Sequence, residues 1–209
     1  MIGRNTLLGN IDTKVFLIGG APGAGKSTLG LALGARLGIA SLSVDDFMRA
    51  AQAITTPETH PGLHPMRGVP ATEYFTDSSV DQLKSDATAQ HEATWPLIER
   101  VVRLHARGER ALVIEGWHIR PRMVAQLKLD NVWSGWIVPS DSVFEEREIK
   151  SAEWVRISSN PERLRNNLLT RSLWYNDLIR RQATALQMNI LRQPGETTVD
   201  ELCQMVLGS

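Results

Sequence analysis

Residues 20–27 read GAPGAGKS and lie between a short apolar run and a helical pattern. They fit G-x-x-x-x-G-K-[ST], with Gly20, Gly25, Lys26 and Ser27 at the fixed positions. Glycines let the backbone curl so that several N–H groups point at one anion, and the helix that follows adds the positive end of its dipole. The motif therefore predicts a phosphate-binding loop (P-loop) between a first strand and a first helix.

This loop also predicts the cofactors. In loops of this kind the lysine reaches the β- and γ-phosphates and the hydroxyl of the last residue ligates Mg²⁺, so we expect ATP and Mg²⁺. A dinucleotide-binding G-x-G-x-x-G fingerprint does not fit at this turn. The expected nucleotide-binding residues are Gly20, Ala21, Pro22, Gly23, Ala24, Gly25, Lys26, Ser27 and Thr28.

Strand and helix patterns alternate along the chain. Strands are predicted at residues 14–18, 39–44, 111–115, 132–138 and 187–191. Helices are predicted at 26–37, from Ser79 to Gly108 with a kink or break at Pro96, at 142–156, from Asn160 to about Ala185, and from Thr198, while the proline-rich stretch 51–78 is expected to be irregular. Alternation of this kind predicts an α/β fold whose parallel sheet is covered on both faces.

Polar residues follow the predicted strands at their carboxyl ends, where ligands of such sheets bind. Glu115 follows the third strand and is expected to hold Mg²⁺ through water, although an ordinary strand-end carboxylate is the alternative. Asp45 and Asp46 follow the second strand. We favour Asp45 as the general base on an acceptor hydroxyl and Asp46 as a metal-site or capping residue; the alternative is that both cap the next helix. Arg192 and Pro194 are expected at the adenine edge.

Arginines beyond the fourth predicted strand are candidates for stabilising the charge of a transferred phosphoryl group. Most of them are expected to be solvated, and Arg163 and Arg147 are the preferred catalytic pair alongside Asp45 and Lys26. The candidates are Arg147, Arg156, Arg163, Arg165 and Arg171.

The segment after Glu115 reads GWHIRP, and it places Gly116, His118 and Arg120 where an acceptor is expected. For His118 the alternative is a loop histidine bonded to the backbone. Its spacing from other histidines, together with the single cysteine, Cys203, gives no zinc-ligand pattern. Cys203 is expected to be a buried apolar residue.

Composition narrows the class further. Lys and Arg number 23, as do Asp and Glu, so there is no bulk charge to attract nucleic acid or membrane. No apolar run is long enough to span a bilayer and no secretory signal is recognisable. We expect a cytoplasmic protein, monomeric or homodimeric, that acts on a small molecule.

The chain resembles the 2-phosphoglycerate kinases, small-molecule kinases of the P-loop class, over residues 14–122. The resemblance rests on IGGAPGAGKSTLGLALGARLGI, on SVDDFMRA and on VIEGWHIRP. It implies a three-layer P-loop kinase sandwich of the nucleoside-monophosphate-kinase type, with strand order 2-3-1-4-5. It also implies ATP, Mg²⁺ and transfer of a phosphoryl group to a hydroxyl of a small acidic metabolite.

Two departures leave the acceptor open. Ser-Val-Asp-Asp stands where a single Asp is more usual in that family, and the loop at residues 55–70 has no counterpart that we can match. We predict one domain over residues 1–209, with 48–110 as a substrate-side insertion and 142–172 as a lid region.

Other functions remain open from the sequence. Asp45-Asp46-Phe47 also resembles the Asp-Asp-Phe of uridine-kinase-like enzymes, which favours a nucleoside or nucleotide kinase. A toxin-type sugar-nucleotide kinase is a further alternative. A P-loop ATPase switch without a metabolite acceptor is the alternative from another class, whereas a GTPase is disfavoured because Asn-Lys-x-Asp is absent.

Overall fold

The computed structural model describes residues 13–150 and 154–208. Its centre is a five-stranded parallel sheet with the order β2-β3-β1-β4-β5, which confirms the predicted topology. The strands are β1 (Val15–Gly20), β2 (Ala40–Ser43), β3 (Leu112–Glu115), β4 (Val132–Pro139) and β5 (Asn189–Gln193).

Burial explains why β1 lies in the middle. Every residue of β1 and of β3 is buried, as expected for continuous apolar runs in a sheet covered on both faces. The two strands pair in register from Val15 opposite Leu112 to Ile18 opposite Glu115. This register brings Glu115 beside the start of the P-loop.

Helices form the outer layers. Helix α1 packs on α8 and on the strands at the β2 side of the sheet, whereas α4 and α7 pack on each other and α7 contacts β4 and β5. Their bounds are α1 (Lys26–Leu37), α2 (Val44–Ala53), α3 (Ala71–Asp77), α4 (Val80–Arg107), α5 (Pro121–Val124), α6 (Asp141–Lys150), α7 (Pro161–Ala185) and α8 (Val199–Leu207). Short 3-10 turns lie at Pro61–Leu63 and Trp154–Ile157.

Three details refine the sequence-based expectations. Of the two alternatives at Pro96, a break into two helices is excluded, because α4 is one helix through this residue, with buried neighbours such as Trp95 and Ile98. The stretch expected to be irregular contains α3, which begins directly after Pro70, a position where proline costs no helical hydrogen bond.

The third difference concerns the last strand, which begins two residues later than predicted. Gln187 has a φ of 54° and the Met188 N–H donates to the Ala183 carbonyl, so these residues close helix α7 before the strand begins. Arg192 therefore lies within β5, and only Pro194 follows the strand.

The expectation for the single cysteine holds: Cys203 is fully buried in the core. Among the described residues, no helix has the length and apolar character needed to cross a bilayer.

Candidate active site

The P-loop joins β1 to α1 with the backbone that its glycines were predicted to allow. Gly23 and Gly25 have φ values of 76° and 99°, which residues with a side chain rarely adopt. Gly25 is the N-cap of α1, so the first N–H groups of the helix open toward the loop. This geometry forms a cradle for an anionic phosphate.

Lys26 and Ser27 extend from this cradle toward the end of β3. The Lys26 amine donates to the Ala21 carbonyl at 2.9 Å, and the Ser27 hydroxyl donates to Glu115 Oε1 at 3.1 Å. Burial lowers the pKa of Lys26 from 10.5 to about 8, opposed by the nearby carboxylates of Glu115 and Asp45. The P-loop cation is therefore held beside two carboxylates.

The Ser27 and Glu115 oxygens fit a magnesium ion. Mg²⁺ prefers oxygen ligands and keeps several waters, so one hydroxyl and one carboxylate beside a phosphate cradle form a suitable donor set. Glu115 is only 5% exposed and its carboxylate already contacts the hydroxyl. These two residues would hold the ion together with phosphate oxygens.

Asp45 and Asp46 lie in the first turn of α2, whose N-cap is Ser43. Asp45 lines a cavity together with Lys26, Ser27 and Glu115. Asp46 is exposed and does not belong to that lining. Because the helix turns the two side chains in different directions, the structure brings Asp45 to the site and leaves Asp46 outside it.

This cavity, called here the P-loop cavity, has a volume of about 410 Å³. Part of the lining is the P-loop with Asp45 and Glu115. The rest of the lining comes from helices α2, α3, α4 and α7 and includes Arg49, Tyr74, Phe75, Asp86, Gln90 and Arg171. The segment 48–110, expected on the substrate side, contributes most of this second group of residues.

The three residues predicted after Glu115 have different positions. Gly116 lines the cavity, but Arg120 lies at the N-cap of α5 and is not part of the lining. His118 is fully buried behind the cavity wall, with Nδ1 at 3.9 Å from Asp45 Oδ1. Burial, followed by the charge of Lys26, lowers the pKa of His118 to about 3, so the ring is neutral and forms no ion pair with Asp45.

The two arginines preferred from the sequence also have different positions. Arg147 on α6 donates from Nη1 to the Gly23 carbonyl at 2.8 Å, which places its guanidinium against the P-loop. Arg163 on α7 donates instead to the Asp77 carbonyl at 3.4 Å, and it borders a different surface cavity. Of these two arginines, the structure therefore places Arg147, and not Arg163, against the P-loop.

Arg171 lies in the P-loop cavity, although the sequence did not distinguish it from its neighbours. Its guanidinium lies 4.7 Å from the Phe75 ring centroid and 5.1 Å from that of Trp117. Tyr74 and Asp86 were not predicted at all, because they lie mid-helix without a motif. The signal that could have found Arg171 was a charged residue on the inward face of a long helix.

The expected adenine edge is not joined to this cavity. Arg192 is exposed, and Pro194 borders a separate surface depression with Glu196 and Thr197. The Gln193 side chain fixes the turn here: its amide donates to the Thr197 carbonyl, and its oxygen accepts from the Gly195 N–H, each at 2.9 Å.

Solved structures share this architecture. A shikimate kinase from Aquifex aeolicus superposes with a TM-score of 0.51, at 16% identity, over 92% of this chain and 94% of that one. A gluconokinase from Sinorhizobium meliloti superposes with a TM-score of 0.50, at 15% identity, over 95% and 91% of the two chains. The chain has the P-loop kinase fold.

Sequence comparison gives a relative within this P-loop kinase fold. A 2-phosphoglycerate kinase from Pyrococcus horikoshii is 28% identical over 199 residues, or 92% of this chain. The chain spans 64% of the length of that relative. This similarity confirms the resemblance indicated by the motifs, while no protein-family model matches the chain.

Proposed function

We propose that this protein is an ATP-dependent phosphotransferase that moves the γ-phosphoryl group to a hydroxyl of a small acidic metabolite. The observation that carries the proposal is that Lys26, the Ser27–Glu115 pair and Asp45 border one cavity. Lys26, Ser27 and Glu115 match what a nucleotide with Mg²⁺ requires. Asp45 is a carboxylate that borders the same cavity and is proposed to face the acceptor.

In this proposal the P-loop holds the phosphates. Lys26 and the first N–H groups of α1 bind the β- and γ-phosphate oxygens, while Ser27 and Glu115 would hold Mg²⁺ directly or through water. Bound there, Mg²⁺ would supply positive charge beside the transferred phosphoryl group. Pro194 and Arg192 remain proposed adenine-edge residues on the strength of their place at the end of β5.

Asp45 acts as the general base. The acceptor oxygen attacks the γ-phosphorus, its O–H proton passes to the Asp45 carboxylate, and the bond from phosphorus to the bridging oxygen of ADP breaks. Arg147 stabilises the charge on the phosphoryl oxygens, because its guanidinium already contacts the P-loop at Gly23. Residues 142–172, which carry it, are the proposed lid.

Two further arginines in the lining of the cavity favour an acidic acceptor. They are Arg49 and Arg171. Arginine pairs carboxylate and phosphate groups with planar, bidentate geometry. Since the Pyrococcus horikoshii relative is named 2-phosphoglycerate kinase, 2-phosphoglycerate is the first acceptor to test.

The experiment is an acceptor panel with MgATP and purified protein. It contains small hydroxy acids, 2-phosphoglycerate, sugars, nucleosides, nucleotides and sugar nucleotides, and product masses are read for the gain of one phosphoryl group. We expect an acidic metabolite to accelerate ADP formation, and Lys26→Met to abolish it without loss of fold. ADP formation that no compound accelerates would favour an ATPase switch instead.

Asp45→Asn tests the proposed base. We expect kcat to fall by about 10²–10⁴ while the KM for ATP changes little, because general-base catalysis contributes on that order. Asp46→Asn is the matched control, since the neighbouring carboxylate is exposed outside the cavity. A change confined to the KM for ATP in Asp45→Asn would assign Asp45 to metal binding.

A further inference from the structure

The buried ring of His118 has no structural use for its polar atoms. The ring is fully buried, and neither Nδ1 nor Nε2 has a hydrogen-bond partner within residues 13–150 and 154–208. Buried polar atoms are nearly always paired, because leaving water without a new partner costs stability. An apolar ring of similar size would avoid that cost. We therefore looked for a role of His118 outside packing.

The carboxylate beside this ring is that of the proposed general base. His118 Nδ1 lies 3.9 Å from Asp45 Oδ1, which is longer than a hydrogen bond. The Asp45 side chain is 53% exposed, and no donor among the described residues is hydrogen-bonded to its oxygens. Hydrogen bonds of catalytic groups are often long before substrates bind and shorten in the reacting complex. A movement of about 1 Å by this carboxylate would complete the bond.

The segment that carries His118 packs tightly against the start of α2. A Cβ atom added to Gly116 would lie 2.5 Å from Val44 Cβ, so only glycine permits this approach. Val44 directly precedes Asp45 and is fully buried. The contact between Gly116 and Val44 therefore fixes how far the His118 ring lies from the first turn of α2.

Aromatic neighbours hold the His118 ring in one orientation. The ring centroids of Trp117 and His91 lie 5.0 Å and 4.9 Å from that of His118, with interplanar angles of 62° and 69°. Edge-to-face contacts of this kind are favourable and depend on the ring orientation. His118 is therefore the fixed partner, and the half-exposed Asp45 carboxylate is the partner that can move.

The protonation state of His118 fits a donor and not a base. Burial, and then the charge of Lys26, lower the pKa of His118 to about 3, so the ring is neutral. A neutral imidazole donates from one nitrogen and accepts at the other. Since a carboxylate can only accept, the tautomer that suits Asp45 carries its proton on Nδ1. His118 does not line the P-loop cavity, so it cannot take the proton of an acceptor itself.

We infer that His118 is a positioning residue for the general base: its Nδ1–H donates to Asp45 Oδ1 in the reacting complex and directs Oδ2 toward the acceptor hydroxyl. The inference rests on the proposed phosphotransferase function. The acceptor proton passes to Asp45 during transfer, and the His118 ring keeps its own proton throughout. The bond orients a carboxylate that is otherwise free to rotate at the edge of the cavity.

Three replacements of His118 test this role. In His118→Asn the amide nitrogen takes about the place of Nδ1, in His118→Gln it lies nearer the place of Nε2, and His118→Phe keeps a ring without a donor. Rates are measured with MgATP and 2-phosphoglycerate, or whichever compound of the acceptor panel is phosphorylated fastest. We expect kcat to fall about 10- to 100-fold in His118→Phe and His118→Gln, as for one hydrogen bond to a charged group, with little change in the KM for ATP. His118→Asn should recover most of the loss.

A double-mutant cycle separates positioning from packing. If His118 acts through the Asp45 carboxylate, adding His118→Phe to Asp45→Asn should lower kcat by less than about threefold further, whereas a residue that only packs costs the same factor in both backgrounds. His91→Phe is the matched control, because His91 is equally buried, has no hydrogen-bond partner in the described part of the chain, and keeps its ring contact when replaced by Phe. Its kcat should be close to that of the wild type. Thermal unfolding midpoints verify that all variants are folded.

The tautomer of His118 provides a measurement that needs no turnover. Ring ¹⁵N–¹H correlation spectra distinguish Nδ1–H from Nε2–H, and the variants identify which signals of the five histidines belong to His118. We expect the Nδ1–H tautomer in the free protein and with MgADP. An Nε2–H ring, a kcat of His118→Phe equal to that of the wild type, equal losses in His118→Asn and His118→Gln, or full additivity in the cycle would each overturn the inference. Failure of the proposed function looks different, because the wild-type protein would then phosphorylate no compound of the panel, whatever the tautomer of His118.

Discussion

At the scale of single residues, burial makes the charge of the Lys26 amine in the P-loop depend on pH near 8. The carboxylates of Glu115 and Asp45 act to raise the pKa of Lys26, yet desolvation by burial is the larger effect and lowers that pKa to about 8. Below that pH the amine carries the charge that binds phosphate. Above it the free enzyme loses this charge.

Activity should follow that titration. We expect kcat/KM for ATP to be level up to about pH 7 and to fall above pH 8, toward about tenfold per pH unit, since kcat/KM reports the free enzyme. In kcat the same fall should occur at higher pH, because bound phosphates favour the charged amine. Initial rates between pH 6 and 10 in buffers of constant ionic strength measure both. A kcat/KM that is constant to pH 9.5 contradicts this role.

The two arginines favoured from the sequence can be separated by mutation. Arg147→Ala should lower kcat by about 10³ or more, as for other arginines that stabilise a transferred phosphoryl group, with a smaller effect on the KM of the acceptor. Arg163→Ala is the matched control and should leave kcat within about twofold, because its guanidinium contacts Asp77 and not the P-loop. A larger loss in Arg163→Ala would reverse the assignment.

At the scale of elements, helix α7 begins inside the proposed lid and carries Arg171, which lines the P-loop cavity. It begins after the N-cap Asn160, whose side chain accepts from the Arg163 N–H at 3.0 Å. Farther along, Asn167 donates to the Phe75 carbonyl at 2.8 Å, which ties α7 to the end of α3. Arg171 follows one helical turn later. The Asn160 cap and the hydrogen bond from Asn167 to Phe75 therefore both help to position the part of α7 that lines the cavity.

Removing the cap should destabilise the protein modestly. Asn160→Ala is expected to lower the free energy of unfolding by about 1 kcal/mol, the usual cost of losing such a cap. Ser159→Ala, an exposed polar neighbour, should change it by less than about 0.5 kcal/mol. Urea denaturation followed by circular dichroism measures both, and equal stabilities would show that the cap contributes nothing.

At the scale of the whole molecule, the site collects residues from both halves of the chain. The P-loop, Asp45 and Glu115 come from the first three strands and their connections, whereas Arg147 and Arg171 come from α6 and α7. A nucleotide that binds this arrangement is bound only by the folded state. Binding and global stability are therefore linked.

MgATP should stabilise the protein against heat. At about 100 times the dissociation constant the gain is about 2.7 kcal/mol, which for a domain of this size raises Tm by about 5–10 °C. Lys26→Met should show a much smaller shift at the same concentration. Differential scanning fluorimetry with and without MgATP measures it, and an equal shift in the variant would exclude Lys26 from nucleotide binding.

The sheet order was implied by the family resemblance. The residues by themselves determined the P-loop, the alternation of strands and helices, and the positions of Glu115 and Asp45. Contiguous apolar runs, glycine spacing and strand ends encode these features locally, so they can be recognised without knowledge of the packing. The helix starts at Asn160 and Thr198 were predicted for the same reason.

Only the tertiary structure decided which charged side chains share the cavity. It separated Asp46 from Asp45, buried His118, placed Arg163 at Asp77 and not at the P-loop, and brought Tyr74, Asp86 and Arg171 into the cavity lining. These positions depend on how α3, α4 and α7 pack against one another. A long polar side chain on a helix satisfies the local pattern whether it meets solvent or a cavity, and packing with distant elements decides between the two.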